Sequence, residues 1–171
     1  KFVTVDSNSV LACTGGFVDN VAGLVDLKAF IGVQIDLFKQ GIATDANVKV
    51  VDNRMLAQML TMEYDYYGTL SPIEEGNASG RATASFEDGV FYFYAELKKL
   101  DSPGEGEYVG WLVQKNKTWH VINVGPVKAL GEKSIITYAS TTNLLNHPYV
   151  VITLRKDDGP GEHVLEGRLS E

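Results

Sequence analysis

Residues 81–97 read RATASFEDGVFYFYAEL, and this stretch decides the fold. Apolar and polar side chains alternate along residues 81–86 and again along residues 90–97, as they do in strands whose two faces meet different surroundings. Between the two runs, Glu87-Asp88-Gly89 is a hairpin signal, because glycine accepts a positive φ without steric cost. The stretch therefore predicts an antiparallel β-hairpin.

The same alternation recurs in short pieces through the second half of the chain, separated by stretches rich in Gly, Pro, Ser and Asp. These pieces are residues 108–113, 118–124, 134–139, 149–155 and 163–169. Short strands at this spacing predict an all-β fold, an antiparallel β-sandwich of the Ig-like or jelly-roll-like kind.

The first half of the chain contains one long alternating run and one stretch of helix formers. Every second residue from Val25 to Leu37 is apolar, so residues 24–38 predict a strand with a bend near Gly32. Residues 52–62 (DNRMLAQMLTM) predict a short helix or turn, the only helix expected, capped by Asp52 and leading into a strand over about residues 62–70. The alternation of a strand is also met by Leu56, Leu60, Met62, Tyr64 and Tyr66.

Two regions follow from this reading of the chain. Residues 1–60 form a strand-rich extension, and residues 61–171 form the sandwich. The extension pairs either with the sandwich of its own molecule or with a neighbouring subunit, because an unpaired alternating strand is a template for intermolecular pairing.

Composition narrows the classes of partner. The 171 residues include 22 acidic and 15 basic side chains, a formal charge of −7, which argues against nucleic acid. The most apolar stretch, residues 16–38, carries four charges, so no membrane-spanning segment is predicted. The single cysteine, Cys13, excludes an intramolecular disulfide, and we interpret it as a small buried apolar residue.

Two sets of residues are candidate metal ligands. Met55, Met59 and Met62 share a helical spacing that suits a soft copper ion, although we favour their packing in a core. The turn that holds Asp157, Asp158, Glu162 and His163 is the best candidate for a hard cation such as Ca²⁺. It lacks the spacing of a calcium loop, so we favour a solvated acidic turn and predict no metal or cofactor.

Two further features concern the surface. Asn77 and Asn116 begin N-x-[ST] sequons in predicted loops, where a glycan could be attached in an exported protein. Tyr92 and Tyr94 share one face of a predicted strand. That face either contacts a partner or forms a second packed layer under the N-terminal segment, and we favour the packed layer.

Several motifs in the sandwich region are similar to those of a known family. They are residues 69–72 (TLSP), 78–82 (ASGRA), 92–100, 107–113 (EYVGWLV, with a Y-x-x-W-L pattern) and 150–154 (VVITL). Through them, residues 64–171 resemble the extracytoplasmic C-terminal domain of anti-sigma-K type factors. The resemblance implies a β-sandwich outside the cytoplasm. It transfers no site residues, and it does not imply control of a sigma factor, for which that family uses a helical domain and a membrane helix.

No nucleophile motif or phosphate-binding glycine loop is present, so we expect a protein that is not an enzyme. The expected function is an exported interaction or assembly module whose partner is protein, mainly further copies of itself. Phe2, Val3 and Val5 are the candidate residues for assembly by strand exchange into an extracellular filament. An exported protein that binds a small ligand or metal, and a carbohydrate-active enzyme, are the alternatives.

Overall fold

The computed structural model describes residues 36–171, which form eleven strands and two helical segments. Residues 36–41 are helical and are named α1, and α2 is Asn53–Thr61. The strands are β1 Ile42–Ala43, β2 Val48–Lys49, β3 Tyr66–Pro72, β4 Ser79–Glu87, β5 Val90–Lys98, β6 Glu107–Lys115, β7 Trp119–Pro126, β8 Lys128–Leu130, β9 Lys133–Ser140, β10 Tyr149–Arg155 and β11 Glu162–Arg168. The all-β prediction is confirmed.

Ten strands follow one hydrogen-bonded path, in the order β1-β7-β6-β10-β11-β3-β4-β5-β9-β2, and β8 pairs with β9. Every neighbouring pair is antiparallel except β1 and β7. Side chains from both halves of this path, among them Phe93 and Ile152, share one apolar core. A Cβ built on Gly110 of β6 would lie 2.6 Å from Ile136 Cδ1 of β9. The sheet therefore folds over itself as a sandwich around this core.

The predicted hairpin at residues 81–97 is confirmed. Strands β4 and β5 pair without interruption from Ser79 opposite Lys98 to Glu87 opposite Val90. The two turn residues have positive φ angles, 51° at Asp88 and 76° at Gly89, which is the conformation of a type I′ hairpin turn. The other short strands predicted between residues 108 and 169 each begin within one residue of an observed strand.

The prediction for residues 24–38 is wrong at its C-terminal end. Residues 36–38 lie in α1 and not in a strand, so the fold has a second helical segment where only one helix was predicted. The reason is packing: the buried ring of Phe38 lies 5.4 Å from the ring of Trp111, centroid to centroid, on the sheet. Residues 24–35 lie outside the described part of the chain.

The predicted helix at residues 52–62 is confirmed, with its cap. The Asp52 carboxylate accepts a hydrogen bond of 2.8 Å from the backbone N–H of Met55. The strand that follows starts later than predicted, at Tyr66. Residues 62–65 connect the end of α2 to the start of β3. In this connection the Tyr64 hydroxyl donates a hydrogen bond of 2.7 Å to the Met59 carbonyl, so the Tyr64 side chain is bonded to the helix.

Each helical segment covers part of the outer surface of the sandwich. Phe38 of α1 packs on Trp111 and Val151 of β6 and β10, and Met59 of α2 packs on Tyr92 of β5.

Met55 and Met62 pack at the edge of the same cluster as Met59, so the methionines are packing residues, as we favoured. The tyrosine face of β5 is likewise a packed layer. Neither helical segment within residues 36–171 is long and apolar enough to cross a membrane.

Candidate interaction site

The hydrogen-bonded path ends in the two-residue strands β1 and β2, and the strands next to them, β7 and β9, lie near each other. On its other edge β7 pairs with β6, and on its other edge β9 pairs with β5. Strand β8 follows β7 directly and pairs with residues 133–135 of β9, so the chain joins β7 to β9 there. We name the gap between residues 123–125 of β7 and residues 136–138 of β9 the seam.

The edges of the seam are paired on one side only. Within residues 36–171, β1 pairs with β7 only at Val121 and Ile122, and β2 pairs with β9 only at Ala139 and Ser140. No described strand pairs with residues 123–125 or 136–138 across the seam. The N–H of Gly125 donates to Asn123 Oδ1 at 2.8 Å. Two facing strand edges that lack a strand partner on one side are a template for pairing with a further strand.

The seam opens into a groove of about 350 Å³. It is lined on one side by residues around Val124 and on the other by Thr137 and Tyr138, with Val48–Val51 along its border. A second groove of about 320 Å³ shares Val48 and Asn123 with it. That second groove extends over the outer surface of the sheet and is lined by Trp111, Arg155, Asp158 and Pro160, among others.

Exposed apolar side chains border the seam. Of the large apolar residues that are exposed within the described part of the chain, three lie on residues 42–50, namely Ile42 at 40%, Val48 at 53% and Val50 at 87%. The remaining two are Leu60 and Tyr67. Apolar residues that cluster on one exposed segment are typical of an interaction surface.

A polar cluster holds this segment in place. Asp45 accepts hydrogen bonds from the hydroxyls of Tyr138, at 2.6 Å, and Thr142, at 2.9 Å. Burial acts to raise the pKa of Asp45, but hydrogen bonds from Ser140, Tyr138, the Asn47 backbone and Thr142 outweigh it, so the pKa is lowered. The carboxylate therefore stays ionised and ties residues 42–49 to strand β9. This part of the N-terminal extension thus lies on the sandwich of its own molecule.

The four residues of the predicted acidic turn do not converge. Asp157 accepts a hydrogen bond of 2.8 Å from the backbone N–H of Gly159, whereas Asp158 lines the second groove. Glu162 is exposed, and the ring of His163 packs 4.9 Å from that of Phe38. No group of three or more His, Cys, Asp or Glu side chains within residues 36–171 could hold a metal ion.

The remaining predicted residues fall into two groups. Asn77 and Asn116 are both exposed, the first between β3 and β4 and the second between β6 and β7. Phe2, Val3, Val5 and Cys13 lie outside the described residues.

A buried lysine is a feature that the sequence pattern did not reveal. Lys115 Nζ lies 4.4 Å from the ring centroid of Tyr149, 5.1 Å from that of Trp119 and 3.5 Å from Glu166 Oε1. The Lys115 side chain is only 5% exposed. Burial lowers the pKa of Lys115, and the carboxylate of Glu166 opposes that change.

A pair of histidines was also missed. His120 on β7 and His147 in the turn before β10 are hydrogen-bonded to each other through their rings. They are 27 residues apart in the sequence, so no local spacing could have revealed the pair.

Comparison with known proteins adds no relative to this description. No family model, curated protein or solved structure matches the chain. The resemblance of residues 64–171 to the anti-sigma-K type domain therefore stays a prediction.

Proposed function

We propose that this protein is an exported, non-catalytic assembly module, and that its seam accepts a strand from the N-terminal segment of a neighbouring copy. The observation that carries the proposal is the pair of one-sided strand edges that face each other across a groove bordered by exposed Val48 and Val50. A strand that pairs with a free edge gains backbone hydrogen bonds and places alternate side chains in the groove.

The length of the N-terminal segment supports this occupant. Each one-sided stretch has three residues and spans about 10 Å, and residues 2–5, Phe-Val-Thr-Val, span about 13 Å when extended. Val3 and Val5 share one face of such a strand. That face would meet the apolar floor of the seam, to which Val124 and Tyr138 contribute.

Assembly of identical copies through this contact is head-to-tail, because the donor segment and the acceptor seam are different surfaces. Repetition of such a contact gives a ring when the rotation closes and a filament when it does not. A filament outside the cell is the assembly that we propose. The exposed sequons at Asn77 and Asn116 are consistent with export, as each could carry a glycan.

The test is the solution mass of the intact chain by light scattering, with electron microscopy of the same sample. We expect polymers or large oligomers. The double variant Val3→Asp/Val5→Asp should give monomers, and Thr4→Asp, on the opposite face of the donor strand, should still assemble. A monodisperse monomer from the unaltered chain would overturn the proposal.

The acceptor side is tested separately. Val48→Asp/Val50→Asp places two charges on exposed positions at the border of the seam, so the fold should survive while assembly is lost. Leu60→Asp is the matched control, because Leu60 is also exposed, at 46%, but lies on α2. Equal assembly by both variants would show that the seam is not the acceptor.

A further inference from the structure

We propose that His120 and His147 form a binding site for a divalent copper ion, with the remaining coordination positions filled by water. The Nδ1 atom of His120 and the Nε2 atom of His147 are 2.7 Å apart, and the two rings are inclined by 57°. Imidazole nitrogen is a preferred ligand of Cu²⁺, and for a given nitrogen site Cu²⁺ is bound most strongly among the divalent first-row metals.

A neighbouring side chain sets the direction of the His147 lone pair. Nδ1 of His147 lies 2.6 Å from Asn146 Oδ1, which can only accept, so Nδ1 carries the proton. Nε2 is then unprotonated and its lone pair faces His120. Histidines that bind metals commonly donate their other ring N–H to an oxygen in this way, which fixes both the tautomer and the ring orientation.

The turn that holds His147 is fixed by backbone hydrogen bonds. The N–H of His147 donates to the Leu144 carbonyl at 2.9 Å, and the carbonyl of Pro148 accepts from the N–H of Leu169 at 2.7 Å. His147 is 4% exposed, whereas His120 is exposed on its strand. The pair thus combines a rigid, buried ligand with an exposed one that solvent and a metal ion can reach.

Metal binding replaces the hydrogen bond between the two rings. Because Nδ1 of His147 carries its proton, Nδ1 of His120 donates to Nε2 of His147. His120 binds a metal through Nδ1 once its ring proton is on Nε2, and because that change only moves a proton between the two ring nitrogens, no net proton is released.

The affinity order of nitrogen sites favours copper over zinc, because such sites bind Cu²⁺ more strongly than Zn²⁺. The 2.7 Å between the two nitrogens is a hydrogen-bond distance. Binding of either ion therefore requires the rings to turn until both lone pairs meet at the metal.

The experiment titrates the full chain with CuCl₂ at neutral pH, using calorimetry for the affinity and electron paramagnetic resonance for the ligands. We expect one Cu²⁺ per chain with hyperfine coupling to two histidine nitrogens. His120→Ala should raise the Kd at least about tenfold, and Asn146→Leu, which removes the orienting oxygen, about 10- to 100-fold. Circular dichroism checks that each variant is folded.

His163→Gln is the matched control, because His163 is the third histidine of the chain and packs elsewhere, on Phe38. It should bind copper as the unaltered chain does. Coupling from fewer than two histidines, affinity that is unchanged in His120→Ala, or a higher affinity for Zn²⁺ than for Cu²⁺ would each overturn the proposal. The outcome is independent of assembly, since neither histidine borders the seam.

Discussion

The hydroxyl of Tyr138 donates a hydrogen bond of 2.6 Å to Asp45 Oδ2, and through this contact the segment of residues 42–49 is joined to strand β9. Tyr138 contributes its ring to the core, where it is 5% exposed, so its hydroxyl has few alternatives to this acceptor. Burial, together with the adjacent carboxylate, raises the pKa of Tyr138 far above its ordinary value. Tyr138 therefore remains a hydrogen-bond donor throughout the physiological range of pH.

We expect Asp45→Ala to lower the free energy of unfolding by about 1–3 kcal/mol, because a buried hydroxyl loses its partner. Tyr138→Phe removes the donor as well, so the double variant should be more stable than the sum of the two single changes implies. Urea denaturation of the four proteins measures this coupling. Strict additivity would contradict the role given to the contact.

The helix α2 offers a comparison between adjacent positions. Met59 is 1% exposed and packs on Tyr92, whereas Leu60 beside it is 46% exposed. We expect Met59→Ala to cost about 2–5 kcal/mol, because it leaves a cavity, and Leu60→Ala to change stability by about 0.5 kcal/mol or less. Thermal unfolding followed by circular dichroism compares them. Similar losses of stability in the two variants would mean that Leu60 is buried as well as Met59, and would contradict this orientation of α2 on the sheet.

Much of the fold could be predicted because its signals are local. The β4–β5 hairpin needs only alternation and the Asp88-Gly89 turn, and α2 needs only its helix formers and the Asp52 cap. Asp36 and Leu37 fit the alternation of residues 24–38, but Phe38 is apolar at a position where that alternation calls for a polar residue. Its ring packs on Trp111, which is 73 positions away. Alternation alone therefore did not distinguish a strand from a helical turn at these residues.

The candidate site could not be predicted for the same physical reason. Strands β1 and β2 have two residues each, and their partners Val121 and Ala139 lie more than 75 residues away. The seam exists only because the path of strands curves until β7 approaches β9. The histidine pair likewise depends on the approach of one turn to one strand, which no local pattern encodes.

The ion pair of Lys115 and Glu166 tests how a buried charge is tolerated. Lys115→Met removes the charge but keeps an unbranched apolar chain between Tyr149 and Trp119, so stability should change by less than about 1 kcal/mol. Glu166→Ala leaves the ammonium group without its carboxylate and should cost about 1–3 kcal/mol. Chemical denaturation at neutral pH measures both. A larger loss in Lys115→Met would mean that the charge itself stabilises the fold.

Two histidines make stability depend on pH. Burial lowers the pKa of His147 to about 4, with His120 as the second cause, and burial lowers the pKa of His163 to about 4, with Lys115 as the second cause. In the unfolded chain both have the ordinary value of about 6.5. Above pH 6.5 neither state binds a proton at these rings, and below it the unfolded state binds protons first. Stability is therefore lost as the pH falls from 6.5 through about 4.

The expected loss is on the order of 3 kcal/mol for each histidine at pH 4, because one unit of pKa difference corresponds to about 1.4 kcal/mol. Urea denaturation at pH 7, 5.5 and 4 measures it. His163→Gln is isolated from the histidine pair, and it should flatten the profile by about half without changing the response of His147. A profile that is equally steep in His163→Gln would show that the buried ring is protonated in the folded protein, and that carboxylates elsewhere cause the acid sensitivity.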